Sequence, residues 1–363
     1  LAERLRRLGT KFIDYPILIR LNPNTPWKTR GNAAVCLRVE ADERQMVERE
    51  EAEELIRDHG MHAFAWKNGR GIIGALAAIG GTLQGDHTYE LITYRTPENW
   101  GSPRRVDAGS VRRMDEATNG STFNNVDERG KPLIMPHGPD PVLYGVRGES
   151  PEAVYRAFSI VEELEPVERW MIYRSNQGTD AHFASTAPIS SLTPYNPAII
   201  MGAVASKPET ITGSHVIFKV RDGSGEADCA AYEPTGSFRH VVRRLIPGDE
   251  VKVYGGVRPM SPGLTLNTEK LEVLSLAEKV KLKNPRCPRC GGGTESMGSG
   301  QGYRCKKCGY RDGELEKIRV VEPRELNPGV YLSDRDAHRH LTKPLARYGR
   351  ERDHVPGALF EPW

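Results

Sequence analysis

Four cysteines carry the clearest chemistry in this sequence. Cys287-Pro-Arg-Cys290 and Cys305-Lys-Lys-Cys308 stand with fourteen residues between the pairs, a spacing that lets two hairpin knuckles close around one ion. Each Cys-x-x-Cys turn aims two sulfurs inward, and four thiolates satisfy tetrahedral zinc without leaving an open catalytic position. A rubredoxin-like iron site and four metal-free thiols are the alternatives, and the paired spacing argues against the second. Gly291 and Gly309 follow the pairs where tight turns are needed, and Tyr303 is placed to cover the sulfurs. Lys281, Lys283, Arg286, Arg289, Arg304, Lys306, Lys307 and Arg311 crowd the same stretch, a charge that serves either solubility or a polyanion.

Two loops upstream have the composition of anion sites. Asn22-Pro-Asn-Thr-Pro-Trp-Lys-Thr-Arg-Gly-Asn32 offers Lys28, Thr29, Arg30, the Gly31 backbone and Asn32 to a triphosphate. Trp66-Lys-Asn-Gly-Arg-Gly-Ile-Ile-Gly74 opens a small-residue helix predicted over 72–79, whose amides and dipole favour an anion. Neither is a Walker A motif, and ordinary glycine turns explain either loop equally well. Two acids suit a cationic substrate: Asp127, closing Phe123-Asn-Asn-Val-Asp127, and Asp180, in Asn176-Gln-Gly-Thr-Asp-Ala-His182. Aspartates in turns also act as simple Asx caps.

These residues need elements to hold them. An amphipathic helix is predicted over 1–8, strands over 17–21 and 33–40, and an acidic helix over 48–58. A second α/β stretch begins at 61–66 and continues through a helix at 151–164, capped by Ser150, and a strand at 170–174, the pattern of a small α+β domain. From 196 the texture changes to five alternating apolar runs at 199–205, 215–222, 226–233, 250–257 and 264–275. One helix, at 237–245, falls between the third and fourth. That count and order are those of an OB barrel, which binds single-stranded nucleic acid across its second and third strands. Phe218, Lys219, Arg221 and Tyr232, with Phe238, Arg239, Arg243 and Arg244 near the helix, are the candidates for that surface; Phe218 and Phe238 suit the core equally.

At 363 residues the chain calls for two to four domains. Hydrophobic residues make up 38%, and no run approaches the roughly 20 apolar residues of a spanning helix, so a helical membrane protein is excluded. A net charge of +3 is too small to argue for nucleic acid by itself. Six cysteines, four of them in tight pairs, fit a reduced compartment, and a cytoplasmic protein is expected. Leu1 lies inside the first predicted helix with neither initiator Met nor signal peptide, so the N-terminus is expected to lie upstream.

Trp27-Lys-Thr-Arg-Gly-Asn32, Asn68-Gly-Arg-Gly-Ile-Ile-Gly-Ala75, Asn125-Val-Asp127, Pro141-Val-Leu-Tyr-Gly-Val-Arg-Gly-Glu149, Asn176 through Asp180 and the four-cysteine ribbon follow one another over nearly the whole chain. Together they resemble the archaeal tRNA(Ile) 2-agmatinylcytidine synthetases, or agmatidine synthases. The resemblance implies an ATP-dependent tRNA-modifying ligase. It would join agmatine to carbon 2 of the wobble cytidine of an isoleucine tRNA with a CAU anticodon, through a phosphorylated cytidine. A multidomain α+β architecture is implied: an incomplete α/β kinase-like domain over 1–60, a ferredoxin-like catalytic domain over 61–195, an OB-fold β-barrel over 196–277, a zinc ribbon over 278–318 and a basic C-terminal segment over 319–363. ATP, Mg2+ and Zn2+ are the implied cofactors, and the tRNA and agmatine the partners, with neither membrane nor DNA.

By the same resemblance Lys28, Arg30, Gly31 and Asn32 belong to the ATP region together with Gly69 and Gly71. Lys67 and Arg70 act from a mobile loop, Asp127 and Asp180 meet agmatine, and Cys287, Cys290, Cys305 and Cys308 hold zinc. Two departures stand out. Relatives begin with a strand and a Gly-Ile-Asp-Asp-Thr-Asp stretch whose acids bind Mg2+, and nothing similar precedes Leu1. The junction around 42–46 also reads as a splice across tens of residues. A chain truly lacking both would bind tRNA without turnover. The rival readings are a non-catalytic OB and zinc-ribbon protein for single-stranded nucleic acid, and a kinase-like enzyme with another substrate.

Overall fold

A computed structural model describes residues 2–7, 9–24, 33–40, 85–138, 141–183, 185–260, 263–353 and 359. The predicted helices at 48–58 and 72–79 and the stretch at 61–66 lie outside them. The first body is a six-stranded sheet in the order Ala33–Cys36, Ile17–Arg20, Val167–Ser175, Thr88–Arg95, Val142–Gly148, Thr122–Phe123. Neighbours are antiparallel except Ile17–Arg20 against Val167–Ser175. Thr88–Arg95 is rich in aromatic and β-branched residues, which favour a pleated, packed strand. Tyr89 and Leu91 pack with Val154 and Ile172.

Two helices cover that face. Ala108–Ala117 starts on Asp107, whose side chain accepts from Ser110 N, and buries Val111 and Met114 against Leu143, Val146 and Ala157. Pro151–Phe158 starts as predicted on Ser150, which accepts from Ala153 N, with Pro151 in the first turn. It ends at Phe158 rather than at 164, and Val161 beyond it turns into the core. On the helix-free face Leu18, Ile92 and Tyr173 form a smaller cluster.

The N-terminal strands belong to this same sheet. Ile17 and Leu18 are buried and pair with Arg174 and Ser175, so backbone hydrogen bonds join residues 17–36 to the expected catalytic domain across the boundary read at 60. A buried pair secures the join: Arg174 Nη2 donates to Asp14 Oδ2 at 2.6 Å, both side chains being at most 1% exposed. The strand read over 33–40 is two, Ala33–Cys36 and Val39–Glu40, because the second pairs with Lys11–Phe12.

The second body confirms the five predicted runs. Pro197–Val204 pairs with Glu250–Met260 and with His215–Arg221; that strand pairs with Glu226–Ala231, which runs parallel to Gly263–Ser275, and this last returns to Glu250–Met260. Inward and outward residues alternate with the period of two that a strand imposes: Val216, Phe218 and Val220 are buried while Lys219 and Arg221 point out. The helix between the third and fourth runs is shorter than read, Phe238–Val242, and inserts Phe238 and Val242 into this core.

The C-terminal stretch, expected as a basic segment, is folded onto both bodies. Ile318–Glu322 pairs with Lys279–Lys283, and Gly329–Leu332 pairs with the strand Gly263–Ser275. Arg347, 1% exposed, is then buried against the first body. Its charge suggested solvent, but Asp86 and Glu149 are there to receive it.

Arg95 and Glu165 form the tightest buried pair: Nε donates to Oε1 at 2.5 Å, and neither side chain is exposed. Removing one partner strands the other in a low-dielectric interior. Glu165→Ala is expected to cost about 3–5 kcal/mol, read as a lower urea midpoint with an unchanged slope.

Candidate functional site

The cysteine knob is built as the spacing requires. Thr294–Ser296, Tyr303–Cys305 and Arg311–Asp312 form a three-stranded sheet, and the four sulfurs of Cys287, Cys290, Cys305 and Cys308 lie within 4.8 Å of one another. Gly291 and Gly309 hold φ of +67° and +73°, the left-handed turn conformation that favours glycine. Tyr303 is buried beside them. The amides of Cys308 and Lys307 donate to Cys305 Sγ and pull its thiol down to about 6. The Gly292 amide favours the Cys290 thiolate, but the Cys308 and Cys305 sulfurs outweigh it and push Cys290 up to about 12. Four crowded sulfurs with amides directed at them suit a soft divalent cation that displaces the protons, and zinc fits this donor set.

The surface of the second body divides the nucleic-acid candidates. Phe218 and Phe238 are 1% exposed and belong to the core. Lys219 and Arg221 face outward, paired with Asp228 and Glu226. Tyr232 stacks edge-on with His215. Arg239 reaches the carbonyl of Ser214, Arg243 the hydroxyl of Thr210, and Arg244 the carboxylate of Glu325. Basic side chains thus stand on and around the second and third of the predicted runs.

The two candidate acids sit in different settings and share no partner among the described residues. Asp127 Oδ1 accepts from the amides of Arg129 and Lys131, each at 2.8 Å, and the Lys131 amide first among these holds its carboxyl below the usual range. That is the geometry of an Asx turn. Asp180 stands at φ +59°, where aspartate is tolerated, and turns its carboxylate onto the Lys270 ammonium and the Lys343 amide. Lys28, Arg30, Gly31, Asn32, Lys67, Gly69, Arg70 and Gly71 lie outside the described residues.

Residue-by-residue reading missed a polar group on the helix-free face of the first sheet. Glu90, 3% exposed, accepts from Gln177 Nε2 and from Arg147 Nε at 3.3 Å, with Arg20 Nη2 at 3.8 Å. Farther along, the hydroxyls of Tyr94 and Tyr173 meet at 2.6 Å, and burial raises both phenols, so they stay protonated at neutral pH. The signal was present as a charge inside an apolar strand, Tyr89-Glu-Leu-Ile92, with no partner nearby in sequence.

The knob generates one test. Cys305→Ser is expected to bring bound zinc close to zero, counted per chain by native mass spectrometry. Acidification should release zinc from the unaltered protein, because each proton that returns to a thiolate competes with the metal.

Family models match four stretches in order: the TiaS TCKD domain over residues 1–43, the TiaS FLD domain over 69–182, an OB-fold nucleic acid binding domain over 198–274 and the TiaS C-terminal zinc ribbon domain over 284–326. The tRNA(Ile) 2-agmatinylcytidine synthetase TiaS of Staphylothermus marinus is 42% identical, over 95% of this chain and 88% of its own length. The crystal structure of TiaS in complex with its isoleucine tRNA and ATP matches with a TM-score of 0.79 at 37% identity, covering 96% of this chain and 94% of that one. A complex of TiaS with the same tRNA, AMPCPP and agmatine matches with a TM-score of 0.76 at 35% identity, covering 96% and 93%. Agreement of this extent, through both sheets and the knob alike, shows that the chain belongs to the tRNA(Ile) 2-agmatinylcytidine synthetase family, TiaS.

Proposed function

We infer that this protein spends ATP to join agmatine to a cytidine of an isoleucine tRNA. The observation that carries the reading is the match, over 96% of the chain, to a relative solved with its isoleucine tRNA, an ATP analogue and agmatine together. The chemistry is a two-step exchange at carbon 2 of the wobble cytidine in a CAU anticodon. The carbonyl oxygen takes a phosphoryl group from ATP, the primary amine of agmatine attacks the carbon, and phosphate departs with that oxygen. Mg2+ is proposed as the counter-ion of the triphosphate.

Lys28, Arg30, Gly31 and Asn32, with Gly69 and Gly71, are proposed to hold ATP, and Lys67 and Arg70 to act at the transferring group. Asp127 has backbone amides on its carboxylate, and is the acid proposed to take agmatine's cationic end. Asp180 already carries Lys270. The strand order of residues 88–175, with the fourth strand beside the first and the second beside the third, supports a ferredoxin-like domain. The returning path of pairings supports a closed OB barrel. The residues before 60 are proposed as part of a kinase-like domain. The barrel and the zinc ribbon hold the RNA, DNA is not a partner, and the reaction takes place in the cytoplasm. No described helix is long and apolar enough to cross a membrane.

Incubation with ATP, labelled agmatine and a transcript of the CAU-anticodon isoleucine tRNA is expected to put label into RNA; an unlabelled transcript would leave an RNA-binding protein. Replacing the wobble cytidine by uridine should abolish tRNA-dependent ATP cleavage, and persistence of that cleavage would point to another substrate. Arg30→Ala is expected to slow ATP use on the order of a hundredfold while RNA affinity stays within about threefold. Equal losses in both would overturn its assignment to ATP. Cys305→Ser is expected to weaken tRNA binding, measured by filter retention.

A further inference from the structure

The segment after Gly329 runs as a strap between the two large bodies. It leaves the second as the strand Gly329–Leu332 and ends on the first, where the amides of Gly178 and Asp180 donate to the carbonyls of His340 and Leu341, each at 2.8 Å. Two cations are sealed into this join. Arg347 places its guanidinium on Asp86 (3.0 Å), Glu149 (2.7 Å) and the carbonyl of Gly178 (2.6 Å). Lys270, 2% exposed, projects from the strand Gly263–Ser275 of the second body to ion-pair with Asp180 of the first. It donates to the Tyr348 hydroxyl of the strap at 2.9 Å and lies 4.5 Å from the Tyr254 ring centroid.

A third contact ties in the start of the candidate ATP loop. Asn24 is fully buried, and its side chain lies so close to Gly256 of the second body that a Cβ there would collide with its amide. Arg258 Nη1 donates to Asn24 O at 2.9 Å, and Arg339 Nη1 of the strap donates to Asn24 Oδ1 at 2.7 Å. Apolar surfaces hold two bodies together in many nearly equivalent placements, because the hydrophobic effect has no direction. Buried charges do not, since any shift that parts a cation from its acid leaves an unpaired ion in low dielectric. The seam is therefore keyed to one relative placement.

We propose that Lys270, Asp180 and Arg347 are positioning residues for the transfer reaction, fixing the RNA-holding body on the body that leads into the candidate ATP loop. They govern turnover of bound RNA and leave its affinity alone. A misplacement of about 1 Å between reacting groups costs on the order of a hundredfold in rate. The turnover arm of the test rests on the function proposed above; the exchange arm does not.

The full-length protein is compared with Lys270→Met, with Lys270→Arg, which keeps the charge, and with Tyr348→Phe, which removes one hydrogen bond and leaves every ion pair. Three quantities are read: the dissociation constant for the isoleucine tRNA, the single-turnover rate of agmatine incorporation at saturating RNA, and amide exchange. For Lys270→Met the expectation is affinity within about threefold, a rate lower on the order of a hundredfold, and at least about tenfold of it recovered in Lys270→Arg. Exchange should quicken at the amides of Gly178 and Asp180 and stay slow in Glu250–Met260. An unchanged rate, or affinity falling in step with the rate, overturns the proposal. If exchange quickens throughout Lys270→Met, Tyr348→Phe decides: faster exchange confined to Gly178 and Asp180 upholds the strap, and none overturns it. If the unaltered protein incorporates no agmatine, the proposed function fails, and the exchange data still decide for or against the keyed seam.

Discussion

A guanidinium or ammonium taken out of water must be given an acid in the same place, and much of this architecture follows from where such pairs are set. Arg174 meets Asp14 and anchors the N-terminal segment before it enters the sheet. Arg95 meets Glu165 and holds the loop that precedes the strand Val167–Ser175 against the end of Thr88–Arg95. Arg347 meets Asp86 and Glu149 and brings the far end of the chain back to the same body. In each case the partners are far apart in sequence, so the pair exists only when the topology is complete. Such pairs add little net stability over an apolar isostere but penalise alternative arrangements. They act here as registration marks more than as glue.

The RNA-holding half follows a different logic. Its core is an ordinary apolar cluster closed by strand pairing, and its outward residues are cations already paired with surface acids, as Lys219 and Arg221 are. Pairs of that kind are weak in water, so a phosphate can replace the carboxylate at small cost. The zinc knob adds rigidity where a three-stranded sheet of short strands has almost no core of its own. Rigid presentation of shallow basic surfaces suits a folded RNA, which offers phosphates on many sides.

Coupling between the halves is the task of the seam. A nucleotide-driven transfer needs the cytidine, the phosphoryl donor and the amine in one place, although RNA and nucleotide are held by different bodies. Lys270 and the strap supply that constraint from two directions. One comes from the middle of a barrel-type strand and the other from the C-terminus, which reaches across only after both bodies have formed.

Local chemistry was legible from residues alone. Paired cysteines declare their turn and their metal because both ligands of each pair are three residues apart, and the five alternating runs declare a sheet because burial has the strand's own period of two. Ser150 marked a helix start for the same reason, since a cap is made within one turn. What only the tertiary structure decided was the partnership of charges distant in sequence. Asp180 reads as a ligand for a cationic substrate until Lys270, ninety residues away, is seen on it. Arg347 reads as part of a solvated tail until Asp86 and Glu149 are seen to receive it. The residues before 60 read as separate until Ile17 and Leu18 pair with Arg174 and Ser175. A sequence records the charge and the period of each segment, but which acid a buried cation will meet depends on chain closure, and that has no local signature.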